Sequence, residues 1–263
     1  MSVIAVIGAT GDVGRGIVAV LLEQQHQVLA IARDAARLQR LREAFGVPAN
    51  LQAITGSVAD DAHAEQLRRD IERLSPAGID AVVISINAPR KSAPLLSHSS
   101  AELIALLGMD LVSHYAAART LAPLIRPGGT LLGIGGGSAD FILEGGIQMS
   151  VAQAGLRMLY RGLAHELAAL PIAVHELIVA SVVNGASTRE FADPVWVTDR
   201  EIGAQVAGMI ERPADYPESV WRIARRDDSG RPVISAEAEV RVQGFRQSTE
   251  AEAPKPRIQH GKS

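Results

Sequence analysis

The chain has 263 residues, 47% of them hydrophobic and 21% charged, with a formal net charge of −3 and no cysteine. The missing cysteine excludes disulfides, thiolate metal sites and cysteine nucleophiles, and the slight acidity gives no electrostatic reason to expect nucleic acid or an anionic membrane as partner. The length allows one large α/β domain or two small ones, and such a chain buries about three quarters of its unfolded surface without a staple.

Val3, Ile4, Val6 and Ile7 form a short β-branched run, as a parallel strand covered on both faces requires. The turn Gly8-Ala9-Thr10-Gly11-Asp12-Val13-Gly14 follows at once, then an amphipathic helix and a second strand, Gln27 to Ala32. Glycines spaced G-x-x-G-x-x-G between strand and helix suit a tight turn, close approach to a pyrophosphate, and close packing of the helix on the strand. The second strand ends in Arg33, with Arg37 one helical turn on. An arginine here accommodates a 2′-phosphate, whereas an acid would bind a ribose hydroxyl. NADP(H) is therefore the expected cofactor, with Asp34 opening the next helix.

Ala35 to Ala44 reads as helix, Leu51 to Thr55 as a third strand, and Asp61 to Leu74 as an amphipathic helix capped by Asp60. Asp80 to Ile86 is the fourth strand. Serines 99 and 100 open a long helix to about Ile125, which Pro127-Gly128-Gly129 stops. Thr130 to Ile134 is a fifth strand, Gln148 to Leu170 a helix, Ile172 to Val179 a sixth strand, Asp199 to Glu211 a helix and Val220 to Ile223 a last strand. This β–α alternation predicts a single doubly wound parallel sheet with helices on both faces, a Rossmann fold spanning 1–224. Residues 225–263, mixed in charge and with A-P-K-P-R near the end, read as a partly ordered arm and a disordered tail, the alternative being that a strand-like patch at Glu239 to Val242 reaches across to a partner subunit. The first strand begins too early to leave room for a signal segment. No apolar run approaches the roughly 18 residues of a membrane span. A cytoplasmic protein with a small-molecule substrate is expected.

From residue 3 to about 190 the chain resembles the short-chain dehydrogenase/reductase family. The landmarks are the glycine turn, Ala32-Arg33, Ser57-Val58, Asn87-Ala88-Pro89 where the family usually has Asn-Ala-Gly, the glycine-rich end of strand five, and Asn184-Gly185 where Pro-Gly is usual. The resemblance implies a Rossmann fold, a nicotinamide cofactor also held at Ser57, Val58, Asn87, Ala88, Gln153 and Asn184, and pairing of subunits through the fourth and fifth helices. Leu103, Leu106, Leu107, Leu111, Leu121, Leu156, Leu159, Leu163 and Leu167 on those helices exceed what one sheet face hides, so a homodimer or homotetramer is expected.

The family's chemistry does not carry over. Its Asn, Ser, Tyr and Lys positions fall on Asp110, Gly136, Met149 and Gln153. The other tyrosines, Tyr115, Tyr160 and Tyr216, have no Lys four residues on, so the loss is not one of alignment. Replacement candidates are Asp110 with His114, four apart on one helix and able to form a carboxylate-oriented acid, and Ser138 and Asp140, which follow strand five at the ligand-binding edge of the sheet. Each also has a plain structural reading, as a polar helix contact, a loop serine or a helix cap. The segment Gly136 to Asp140 lacks the second glycine of a nucleophile elbow, which argues against a hydrolase. The histidines show no metal-ligand spacing, so no metal is expected. Three functions remain open: an NADP(H)-dependent reductase of a C=O, C=N or activated C=C bond, a non-redox enzyme such as a cyclase or isomerase built on the same pocket, and a non-catalytic sensor.

Overall fold

The β-branched runs form eight strands of one sheet in the order β10-β9-β6-β5-β4-β1-β2-β3. The computed structural model describes residues 1–87 and 92–243. Its strands are β1 (Val3–Ile7), β2 (Gln27–Ala32), β3 (Leu51–Thr55), β4 (Ile79–Ile84), β5 (Ile125–Gly136), β6 (Ala173–Ala180), β9 (Val220–Arg226) and β10 (Pro232–Ala236), with a short parallel pair, β7 (Val183–Asn184) and β8 (Val197–Thr198), beside the sheet. All neighbours in the large sheet are parallel except β10, which runs antiparallel to β9. Strand order reverses between β1 and β4, the switch point at whose carboxyl edge such sheets bind ligands.

Side-chain alternation sends successive strand residues to opposite faces. Ile4 and Val6 of β1 enter a core with helices α1 (Asp12–Glu23), α2 (Ala35–Ala44) and α7 (Asp199–Glu211). Ala5 and Ile7 enter a second core with α3 (Asp61–Leu74), α5 (Ser113–Leu121) and α6 (Ile147–Glu166). The caps follow the sequence. Asp34 accepts from the Ala36 and Arg37 amides at the start of α2, Asp60 accepts from His63 at the start of α3, and Ser99 with Glu102 makes a capping box on α4 (Ser100–Leu107).

Several expectations are corrected. Strand five begins at Ile125, because Arg126–Gly129 bulges out between the Ile79 and Ala81 pairings of β4. The boundary expected at 224 falls inside β9, and residues 232–236 add an antiparallel edge strand, so the sheet continues into the expected arm. Glu239 to Val242 is not a strand. Instead Glu239 Oε1 accepts from the Ser219 amide and hydroxyl at 2.6 and 2.7 Å. The A-P-K-P-R segment lies outside the described residues. Of the leucines expected to be in excess, Leu121 and Leu156 are fully buried, and Leu111, Leu159, Leu163 and Leu167 pack against the second core. By length and composition alone the helical run Ser100–Leu124 is apolar enough to span a membrane, although Glu102, Asp110 and Arg119 lie along it.

Candidate active site

The glycine turn is built as its spacing requires. Gly8 has φ +81°, where an L side chain is strained, and a Cβ there would stand 1.9 Å from the Ser85 carbonyl oxygen. A Cβ on Gly14 would stand 2.2 Å from the Gly8 carbonyl oxygen, so the helix starts hard against the turn. Gly11 is different: its Cβ would meet only the Gly8 oxygen at 3.5 Å. It is the N-cap of α1 and supplies no side-chain cap, which leaves the first-turn N–H groups open toward a ligand.

Arg33 is exposed and has no hydrogen bond or ion pair with the described residues. Arg37 is steadied beside it by donating to the Thr10 carbonyl at 3.1 Å. A cradle in which Gly8 and Gly14 admit no side chain, open helix N–H groups and a cation at the end of β2 with no partner among the described residues together fit an NADP(H) dinucleotide. Ser57 accepts the Ala59 amide at 3.1 Å, and the Val58 side chain lies in the second core, leaving only its backbone for a ligand. Asn87 is exposed, and Ala88 lies outside the described residues. Asn184 Oδ1 is buried with no hydrogen-bond partner among the described residues. The Asp12 carboxylate accepts from the Ser187 amide and hydroxyl.

At the reaction end, Gln153 is 5% exposed and its Oε1 accepts the Gly136 amide at 2.6 Å. The residue in the family's lysine position thus holds the residue in its serine position. Ser138 lies buried in the turn after β5. Asp110 is fully buried in a π-helical turn, Gly108–Val112, widened between α4 and α5 and braced by Ser113 Oγ donating to the Gly108 carbonyl at 3.1 Å. Such turns occur frequently at functional sites.

Two expected acids are corrected by their surroundings. Asp140 Oδ1 accepts from Arg157 at 2.6 Å and Oδ2 from Arg222 at 2.5 Å. Burial alone would raise its pKa, but these charge-assisted bonds outweigh it and hold the carboxyl below its ordinary range, so it stays ionised and cannot donate a proton. His114 is fully buried, and its Nδ1 lies 3.0 Å from the Tyr160 hydroxyl. Burial pushes its pKa down to about 4, against a weaker upward pull from the Ile86 backbone. At neutral pH it is an uncharged core residue.

Sequence reasoning missed the groups that hold these residues. Tyr160 is fully buried where Gly133 leaves room, since a Cβ on Gly133 would stand 2.0 Å from the ring. Glu176 fills the space left by Gly135, with both carboxyl oxygens lacking a hydrogen-bond partner among the described residues, and burial raises its pKa to about 8. Glu237, in the expected arm, accepts from Arg157, Arg161 and Arg222 at 3.1, 3.0 and 2.6 Å, tying the chain after β10 to α6 and β9. The glycines at 133 and 135 were the one sequence signal that large side chains cross that strand.

A mostly parallel sheet whose strand order reverses between β1 and β4, with a glycine turn leading from β1 into α1, defines a Rossmann-like α/β protein. A family model described as enoyl-(acyl carrier protein) reductase matches residues 8–222, and the chain belongs to the short-chain dehydrogenase/reductase family. No curated protein matches it in sequence. Among solved structures it is similar to a short-chain oxidoreductase from Pseudomonas aeruginosa PAO1 containing an atypical catalytic center. The apo form matches with a TM-score of 0.74 at 19% identity, over 85% of this chain and 95% of that one. The NADPH-bound form of that protein matches at 0.73 and 19%, over 85% and 94%. The Pseudomonas aeruginosa RhlG/NADP active-site complex matches at 0.73 and 22%, also over 85% and 94%.

Proposed function

We propose that the protein is an NADP(H)-dependent oxidoreductase with a non-standard active site, reducing a C=O, C=N or activated C=C bond of a small organic substrate. The observation that carries this reading is Arg33, a cation left without a partner among the described residues at the end of β2, where a 2′-phosphate belongs. The NADPH- and NADP-bound neighbours agree with it. Gly8, Gly11 and Gly14 hold the pyrophosphate against α1, Arg33 and Arg37 take the 2′-phosphate, and Gln153 and Asn184 lie toward the nicotinamide end. The bound nicotinamide supplies hydride chemistry.

Met149 donates no proton, Gln153 carries no charge, Asp140 is held ionised and His114 neutral. Asp110, at the position of the family's helix-four Asn, is the residue we assign to proton handling. An acceptor that already carries its proton, such as an iminium ion, asks least of these side chains. The loss of all four usual residues also favours a second reading, non-redox chemistry or sensing in the same pocket. Exposed Ile104, Val112, Tyr115, Val151 and Met158 on the α4–α6 surface suit pairing with a second copy.

Crystals soaked with NADPH test the assignment. The 2′-phosphate is expected on Arg33 and the nicotinamide beside Gly136 and Gln153, while an adenine ribose bound away from Arg33 would refute it.

A further inference from the structure

Asp12 opens α1, where a negative charge suits the helix dipole. The same helix end is where a pyrophosphate would sit. The structure turns Asp12 aside. Its Oδ1 accepts the Ser187 amide at 3.2 Å and its Oδ2 accepts the Ser187 hydroxyl. Gly185 makes room for this, since a Cβ there would stand 2.6 Å from the Asp12 Cβ. Ser187 is presented by a turn that holds its own shape: Thr188 Oγ1 donates to the Val183 carbonyl at 2.5 Å and accepts the Gly185 amide at 3.0 Å.

Asp12 lies just beyond β1 and Ser187 beyond β6 and β7, whereas β4 and β5 lie between β1 and β6 in the sheet. The tie therefore bridges the carboxyl edge at the switch point, where the ligand crevice of such a sheet opens. We propose that Asp12 and Ser187 form a clasp across the dinucleotide groove, which opens for the cofactor to enter and to leave. This rests on the NADP(H) reading above. Ser187 is exposed, so water replaces either partner when the clasp parts, and the barrier it adds is modest. A clasp of this kind slows passage in both directions, while a group that touches the cofactor changes affinity through release.

Stopped-flow NADPH fluorescence separates the two, using the full chain and its Ser187→Ala and Asp12→Asn variants. Association and dissociation are both expected to quicken by about three- to tenfold in Ser187→Ala, with Kd held within about twofold, as loss of one exposed, charge-assisted bond implies. Asp12→Asn, which keeps the shape and loses the charge, is expected to change both rates in the same direction by less. Hydrogen exchange at residues 184–188 of the cofactor-free protein is expected to rise in Ser187→Ala with the melting temperature unchanged, a readout that needs no turnover. Unchanged rates and exchange, or faster dissociation alone with weaker affinity, overturn the clasp and leave the cofactor reading standing. Failure of the parent protein to bind NADPH at all overturns both.

Discussion

Gln153 Oε1 accepts the Gly136 N–H at 2.6 Å, so two positions that the family uses for chemistry are joined here by a structural hydrogen bond. Gln153 thereby braces the end of β5. Removing the acceptor leaves Gly136 N–H without its partner at the edge of the core, which costs about 1–3 kcal/mol. Gln153→Ala is expected to lower stability by that amount in urea unfolding, and Gln153→Glu, which keeps an acceptor, to lower it less. Equal losses would show that packing, not the hydrogen bond, holds the strand end.

The glycines of the first turn are expected to separate by role. At Gly8 and Gly14 an added methyl meets backbone at 1.9 and 2.2 Å, and Gly8 adds a left-handed φ. Gly8→Ala and Gly14→Ala are expected to cost about 2–4 kcal/mol each, the sum of overpacking and backbone strain. Gly11→Ala, with its nearest contact at 3.5 Å, is expected to fold normally and to weaken NADPH binding. Calorimetric melting set beside NADPH titration of the three variants checks the split.

Two buried groups are expected to give opposing pH dependences. His114 has a pKa of about 4 in the fold against 6.5 free. The unfolded chain therefore takes the proton first, and stability present above pH 6.5 is lost as pH falls toward 4. Glu176 has a pKa of about 8 against 4.5. The unfolded chain ionises first, and stability present below pH 4.5 is lost as pH rises toward 8. Between 4.5 and 6.5 the two slopes oppose each other. Relative to the parent, Glu176→Gln is expected to gain stability steadily from pH 4.5 to 8, and His114→Gln to gain it as pH falls from 6.5 to 4. Unfolding curves across this range, taken as variant-minus-parent differences, isolate each group, and a flat difference curve would place the group's titration in the ordinary range.

Much of the frame was legible in the sequence because local rules set it. The glycine turn, the β-branched strands and the caps at Asp60 and Ser99 each have a short-range cause. The site was legible only in part. That Met149 and Gln153 lack the family's chemistry follows from residue type alone. That Asp140 is held by Arg157 and Arg222, or that His114 faces Tyr160, depends on partners 17, 82 and 46 residues away. Helical spacing placed His114 four residues from Asp110, but the π turn at Gly108–Val112 shifts the register between them. The arm looked detachable because its residues are polar, yet Glu237 meets three arginines that only the fold assembles.

The central claim is that this fold holds NADP(H) through Arg33, and calorimetric titration of the parent and of Arg33→Asp with NADPH and NADH tests it most directly. The parent is expected to bind NADPH at least about tenfold more tightly than NADH, the equivalent of one charge-assisted contact to the 2′-phosphate, and Arg33→Asp to reverse the order. Equal affinities in the parent, or a preference that the substitution leaves unchanged, would contradict it.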